Sequence, residues 1–190
     1  MRAISGSRQG RSRKSHHVDE VPGAGDSREV TLELSASRTV HGDVDRTFRS
    51  VLPMPLEQLF VSWYGPLPPI RGTEGPLPWQ TPGQQRRVDL VGPGRMHETL
   101  TAVEPPHQFS YRLDRIHGPM TGLIASVDGR WAFAPNGAGT TITWSWSVTP
   151  RSATRWPLPV FGRFWRGYAD RALRRIDELL VSGPGGPGTG

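Results

Sequence analysis

Residues 141–149 read Thr-Ile-Thr-Trp-Ser-Trp-Ser-Val-Thr, and this run decides the fold. Ile142, Trp144, Trp146 and Val148 fall on one parity. Thr141, Thr143, Ser145, Ser147 and Thr149 fall on the other. Strict period two, with one apolar and one hydroxylated face, is the pattern of an antiparallel strand that is buried on one side and wet on the other. Asn136-Gly137 stands just before it, a hairpin signal because both residues tolerate positive φ. The same parity extends outward. Trp131 and Phe133 face in, with Arg130 out, on a strand over 122–135. Phe109, Tyr111 and Leu113 face in on 108–115, against Ser110, Arg112 and Asp114. On 95–104 the inward set is Met96, Leu100 and Ala102, and Glu98 shares their parity.

From Pro157 to Val181 the period becomes helical. Phe161, Phe164, Trp165, Tyr168, Ala172, Ile176, Leu179 and Leu180 recur at i, i+3, i+4 spacing, with arginines on much of the rest. At 1.5 Å per residue such a helix reaches up to about 37 Å, enough to lie across a whole sheet. A one-sided sheet must bury its apolar face on something, and this helix is the one large apolar partner. The fold class is therefore α+β, with a curved antiparallel sheet around the C-terminal helix.

On the N-terminal side, 43–52 reads as a strand, with Val44, Phe48 and Leu52 on one parity shared with Arg46 and Ser50. Pro53 and Pro55 end it, and Pro55 suits the first turn of a helix carrying Leu56, Leu59, Phe60 and Trp63. Residues 64–84 are rich in Pro and Gly. An irregular stretch of that length often caps a site; a short strand is expected within it at 70–74. With 85–91, these give seven strands. Residues 29–40 include Glu-Val-Thr-Leu-Glu-Leu, which alternates like a strand without an evident partner. Residues 1–39 and 182–190 are read as disordered tails, because polar, Gly- and Ser-rich runs bury too little surface to offset ordering entropy. His16-His17 beside Asp19 and Glu20 is read as a solvated run. The folded domain is placed at 40–181.

Composition narrows the function. The chain has 190 residues, 35% hydrophobic, with Gly 23 and Pro 19. There is no Cys, which excludes disulfides, a thiolate nucleophile and Cys-based zinc sites. The net charge is +6, and Lys14 is the only lysine, so the basic residues are almost all arginine; this skew is read first as codon bias. The basic residues form no dense stripe, so nucleic acid is not the expected partner. No stretch approaches a membrane span, and no apolar run follows the basic N-terminus as in a secretory signal, which points to the cytoplasm. The G-x-S-x-G, H-E-x-x-H, Walker and Rossmann signatures are all absent. No metal or cofactor is implied, and the oligomeric state is open.

The chain resembles the SRPBCC superfamily, the helix-grip proteins that include START lipid-transfer domains, Bet v 1-type proteins and the polyketide cyclase/dehydrase group. The residues that carry the likeness are Leu52-Pro-Met-Pro-Leu-Glu-Gln-Leu-Phe60, Pro82-Gly83 with Arg86-Arg87, Glu98, Glu104-Pro-Pro106, Phe109-x-Tyr111, Gly139-Thr-Thr-x-Thr-Trp144 and the terminal helix. Their order and spacing over about residues 40–181 are specific for the fold, which hosts many functions. Segment 64–84 departs from the pattern, since relatives usually carry a second short helix there. The resemblance implies a cavity between the concave sheet face and the long helix.

The expected ligand-binding residues are Glu98, Leu100, Tyr111, Trp131, Phe133, Trp144, Trp146, Phe161, Trp165 and Tyr168. Rings from strands and helix would meet there and offer stacking surfaces with a few polar tips. An inward Glu98 must be paired or protonated. It reads either as a polar anchor or general acid, or as half of a salt bridge to an arginine. Tyr111, an inward phenol, would orient a ligand carbonyl. Glu98 and Tyr111 are the catalytic candidates. His97, His107 and His117 are expected in solvent, and Arg87 and Arg95 are candidates at the rim. The function that follows is binding or transport of a hydrophobic small molecule, such as a lipid or polyketide; the alternative is a polyketide cyclase or aromatase working in the same cavity.

Overall fold

A computed structural model describes residues 31–118, 120–151 and 158–182. Its elements in chain order are β1 (Leu32–His41), α1 (Val44–Val51), α2 (Leu56–Leu59), β2 (Ile70–Glu74), β3 (Gln85–Leu90), β4 (Arg95–Glu104), β5 (Gln108–His117), β6 (Ile124–Asn136), β7 (Gly139–Pro150) and α3 (Leu158–Ser182). The seven strands form one antiparallel sheet in the order β1-β7-β6-β5-β4-β3-β2. β2 to β7 run as a meander. β1 closes onto β7 at one edge, so α1 and α2 carry the chain across to β2 at the other. Register shifts in the β2–β3, β4–β5 and β6–β7 pairs supply the local bending by which a sheet curls. α3 lies on the inner face and packs against β1.

The parity reading holds along β5 to β7 and on β4 as far as Leu100; a register shift after Leu100 then sets Ala102, expected inward, opposite Ser110, and Val103, opposite Phe109, packs against the core instead. Ile142, Trp144, Trp146 and Val148 are buried, as are Trp131, Phe133, Phe109, Tyr111, Leu113, Met96, Glu98 and Leu100. On the wet face of β7 the hydroxyls are used: Ser35 bonds Ser145, Ser37 bonds Thr143 and Thr39 bonds Thr141 across to β1. The turn at 136–138 forms as expected, with Gly137 at φ +59°.

Two expectations are corrected. The segment 43–52 is a helix, not a strand. Asp43 caps it, its carboxylate accepting from the Arg46 backbone N–H at 2.9 Å. Val44, Phe48 and Val51 then fall at i, i+4, i+7, a spacing that puts Phe48 edge-on to Phe133 (5.4 Å) and leaves Arg46 and Ser50 off the buried stripe. The seventh strand is instead β1, which begins inside the segment assigned to the tail; its partner β7 lies more than a hundred residues on in the chain. The N-terminal boundary of the fold therefore moves from 40 to about 32. The helix expected after Pro55 is a single turn, and Trp63 is 54% exposed rather than inward. Residues 1–30, with the His16-His17 run, and residues 183–190 lie outside the described residues. No helix among the described residues is long and apolar enough to cross a membrane.

α3 is tied to the end of β1 by Asp177. Its Oδ1 accepts from the His41 backbone N–H (2.9 Å) and meets the His41 ring Nδ1 (2.9 Å). Partial burial pushes this carboxyl up, but the two contacts to His41 and the charges of His41 and Arg38 outweigh it, so its pKa is lowered. A carboxyl depressed in the folded state stabilises above its unfolded pKa of about 3.9, and the contribution is lost as pH falls through the folded value. Asp177→Asn should therefore lower the melting temperature by about 2–4 °C at pH 7. The gap from wild type should close in melts below about pH 3; a gap independent of pH would contradict this account.

Candidate functional site

Between the inner sheet face and α3 lies a hollow of about 830 Å³, counted out to its mouth. β5, β6 and β7 supply one wall through Phe109, Tyr111, Leu113, Trp131, Trp144 and Trp146. Val88, Leu90, Met96, Arg86 and Glu98 extend it on β3 and β4, and α3 adds Trp165 and Tyr168. Leu52, Met54, Leu56, Leu59 and Phe60 close one side, with Leu67, Pro68 and Ile70 of the Pro-rich segment beside them. The rings are themselves stacked. Trp131 lies on Trp144 at 4.8 Å, Trp144 and Trp146 meet Trp165 at 5.2 and 5.4 Å, and Phe60 lies on Tyr168 at 4.8 Å. The tryptophans thus form a mutually braced wall.

Seven of the ten residues expected to contact a ligand line this hollow: Glu98, Tyr111, Trp131, Trp144, Trp146, Trp165 and Tyr168. Three do not. Phe133 is buried under Phe48 of α1, the helix that the strand reading of 43–52 left out. Leu100 packs where its backbone binds Gly83 and Gln84. Phe161 is buried in the core one helical turn before Trp165.

Tyr111 holds the central polar atom. It pairs across the sheet with Gly129, where a side chain would run into the phenol ring. Because Gly129 has none, the ring lies across β6 and its oxygen reaches β7. There the indole N–H groups of Trp144 (2.8 Å) and Trp146 (2.7 Å) both donate to it. Two donors occupy the lone pairs of the phenol oxygen. Its own proton has no acceptor within hydrogen-bond distance among the described residues. Burial pushes the phenol pKa well up, the charge of Glu98 pushes it further, and the indole bonds pull only partly back. Tyr111 therefore keeps its proton while its oxygen accepts from the two indoles.

Glu98 does point inward, and it meets an arginine. Arg86 Nε donates to Glu98 Oε2 at 2.6 Å, and the side chains are only 8% and 5% exposed. The guanidinium also stacks on the Trp79 ring, 4.2 Å from its centre. The salt-bridge alternative for Glu98 is the one realised. Arg86 and Trp79 were missed from the sequence. The signal for Arg86 was present, since it shares parity with Val88 and Leu90 and lies opposite Glu98 in the β3–β4 register. Trp79 gave none, being one ring in a Pro-rich stretch. Arg87 turns outward to Glu74 (2.7 Å) and Asp89 (3.0 Å). Arg95, His107 and His117 are exposed, and His97 lies half-buried on the opposite parity from Glu98.

The segment after α2 is held down on α3 by reciprocal ring-on-glycine contacts. The Tyr64 ring sits over Gly167 and the Phe164 ring over Gly65, each where a side chain would collide. Arg171 stacks on Tyr64 at 4.7 Å, and Tyr168 donates its hydroxyl to the Pro68 carbonyl at 3.1 Å. Burial raises the Tyr168 pKa as well, so this bond keeps its proton.

Residues 31–181 match the model of the family described as polyketide cyclase / dehydrase and lipid transport. The chain belongs to that family. Its sheet order and closing helix are those of the Bet v 1-like helix-grip fold, and solved structures agree. Ara h 8.0201 is similar with a TM-score of 0.61 and 13% identity, over 81% of this chain and 100% of that one. A major latex-like protein from Panax ginseng gives 0.60 and 12%, over 80% and 98%. Protein Ms6760 from Mycobacterium smegmatis gives 0.56 and 21%, over 80% and 93%. At these identities the likeness is one of fold. A comparison with curated protein sequences found no match.

Proposed function

We propose that this family member binds a hydrophobic small molecule in the hollow between the sheet and α3. One observation carries the reading. The lining is apolar and aromatic, and its two charged side chains are paired with each other. Binding sites for small molecules combine that kind of wall with a few placed polar groups, and here Tyr111 supplies one. The family's description, which includes lipid transport, supports the same reading. The cyclase alternative draws less from the hollow itself. Glu98 is paired with Arg86 through one oxygen, and Tyr111 retains its proton, so the phenol is not set up as a general base.

Native mass spectrometry of gently purified protein tests the proposal. An apolar adduct is expected that disappears on denaturation. Titration of the emptied protein with apolar ligands should change the tryptophan emission, since Trp131, Trp144, Trp146 and Trp165 all line the hollow. A clean unliganded mass together with unchanged emission across such a series would overturn it.

A further inference from the structure

Large apolar side chains left in water are few, and half of them gather at one place. Of the six that are exposed among the described residues, Val61, Trp63 and Val91 stand beside the open end of the hollow. Trp63 and Val91 line an outer groove of about 470 Å³, and Pro68, Leu90 and Met120 line both the groove and the hollow, so the two adjoin. The Trp63 ring is 54% exposed although its backbone is held. Arg171 donates to the Trp63 carbonyl at 3.2 Å, and the next residue, Tyr64, packs over Gly167. An uncovered indole on a fixed backbone loses little conformational entropy when something covers it.

The surroundings carry one sign of charge. Residues 58–73, 90–97 and 115–127, which supply the lining of the groove, contain no Asp or Glu, and neither does α3 from Leu158 to Ala169. They contain Arg71, Arg95, Arg115, Arg163 and Arg166, all exposed. Arg163 and Arg166 belong to the turn of α3 that carries Phe164 and Gly167, the residues that meet Gly65 and Tyr64. The carboxylates that border these stretches each lie within 4.0 Å of an arginine, Glu57 excepted. Arg71, Arg163 and Arg166 have no carboxylate within that distance among the described residues.

An apolar centre flanked by guanidinium groups of this kind matches the surface of an anionic bilayer. The headgroup boundary accepts indole and aliphatic chains, and negative headgroups attract each arginine near them. A nucleic acid would meet the arginines but leave Val61, Val91 and the prolines uncovered. We infer that the open end of the hollow is a docking face for an anionic lipid surface, with Trp63 seated at headgroup level and Arg71, Arg163 and Arg166 against lipid phosphates. The docking face lies outside the hollow and operates whether or not a ligand fills it.

Cosedimentation of the full-length protein with vesicles tests this. Vesicles of phosphatidylcholine mixed with phosphatidylglycerol should bind it at least about tenfold better than vesicles of phosphatidylcholine alone at low salt. High salt should remove the difference. Trp63→Ser should weaken binding to the mixed vesicles roughly tenfold. Arg163→Gln with Arg166→Gln should weaken it by about the same factor and leave binding to phosphatidylcholine unchanged. All three side chains are exposed, so thermal melts of the variants should match wild type, and any loss is then one of contact. Failure of the wild type to sediment with mixed vesicles would overturn the inference. So would sedimentation that neither variant reduces, which would place the contact elsewhere, as on the basic residues Arg8, Arg11, Arg13 and Lys14. Self-association abolished by Trp63→Ser, without vesicle binding, would overturn it in favour of a second copy of this chain. None of these outcomes touches the adduct expected in native mass spectrometry, so the ligand-binding reading stands or falls separately.

Discussion

Replacing Arg86 with methionine should destabilise the protein by about 3–5 kcal/mol, because it strands the buried carboxylate of Glu98 in an apolar wall. The expectation concerns the unpaired charge and not the worth of the pair. Bringing two ions together out of water roughly balances desolvation against attraction, whereas removing one partner leaves the full desolvation cost of the other. Trp79 also loses the guanidinium stacked on it, a smaller loss of about 0.5–2 kcal/mol. The double replacement Arg86→Met with Glu98→Leu should therefore recover most of the stability, since both chains become apolar and the wall stays filled. Urea denaturation of the two single variants and the double variant measures this. A double variant no more stable than either single would mean that the loss comes from packing alone.

Gly129→Ala should cost about 3 kcal/mol or more in stability, the sum of overpacking and of the polar groups it leaves unpaired. A methyl group at 129 occupies the space through which the phenol ring crosses β6, and the backbone on both sides is fixed by the ladders to β5 and β7. The ring must swing away and lose its bonds from Trp144 and Trp146. Both indole N–H groups are then left unsatisfied in the core, a further cost of about 1–3 kcal/mol per group. Adding Tyr111→Phe to Gly129→Ala should produce little extra loss of stability, because the alanine has already broken the bonds from the two indoles to the phenol. Thermal melts of the two single variants and the double variant provide the readout. If Gly129→Ala kept the melting temperature of wild type, the threading of Tyr111 across β6 would be wrong.

These two predictions depend on features with different histories. The inward direction of Glu98 and Tyr111 was legible, because each shares parity with apolar neighbours in the alternating part of its strand. The partner of Glu98 was less so. Arg86 and Arg87 are adjacent, and only the β3–β4 register decides which of them turns inward. Nothing in the sequence around Gly129 signals that it makes room for a ring from the neighbouring strand.

The segment 43–52 shows where a local reading fails. Its apolar residues satisfy both a two-residue and a near-four-residue period, and the strand reading accepted Arg46 and Ser50 facing inward. The helix that forms removes that conflict, and Asp43 supplies the cap that begins it. β1 failed in the opposite way. Its alternation was visible, but a strand is stable only on a partner, and the partner is at the far end of the chain.

By itself, then, the sequence determined the alternation of β5 to β7 and of β4 as far as Leu100, the amphipathic stripe of α3, and therefore a one-sided sheet closed by a helix. Periodicity is a local property, and burial of an apolar face follows from it directly. The tertiary structure alone decided which edge β1 joins, which arginine neutralises Glu98, that Trp79 covers it, and that two indoles converge on one phenol. Each of those facts joins residues distant in the chain, and no local pattern encodes a distance across a sheet.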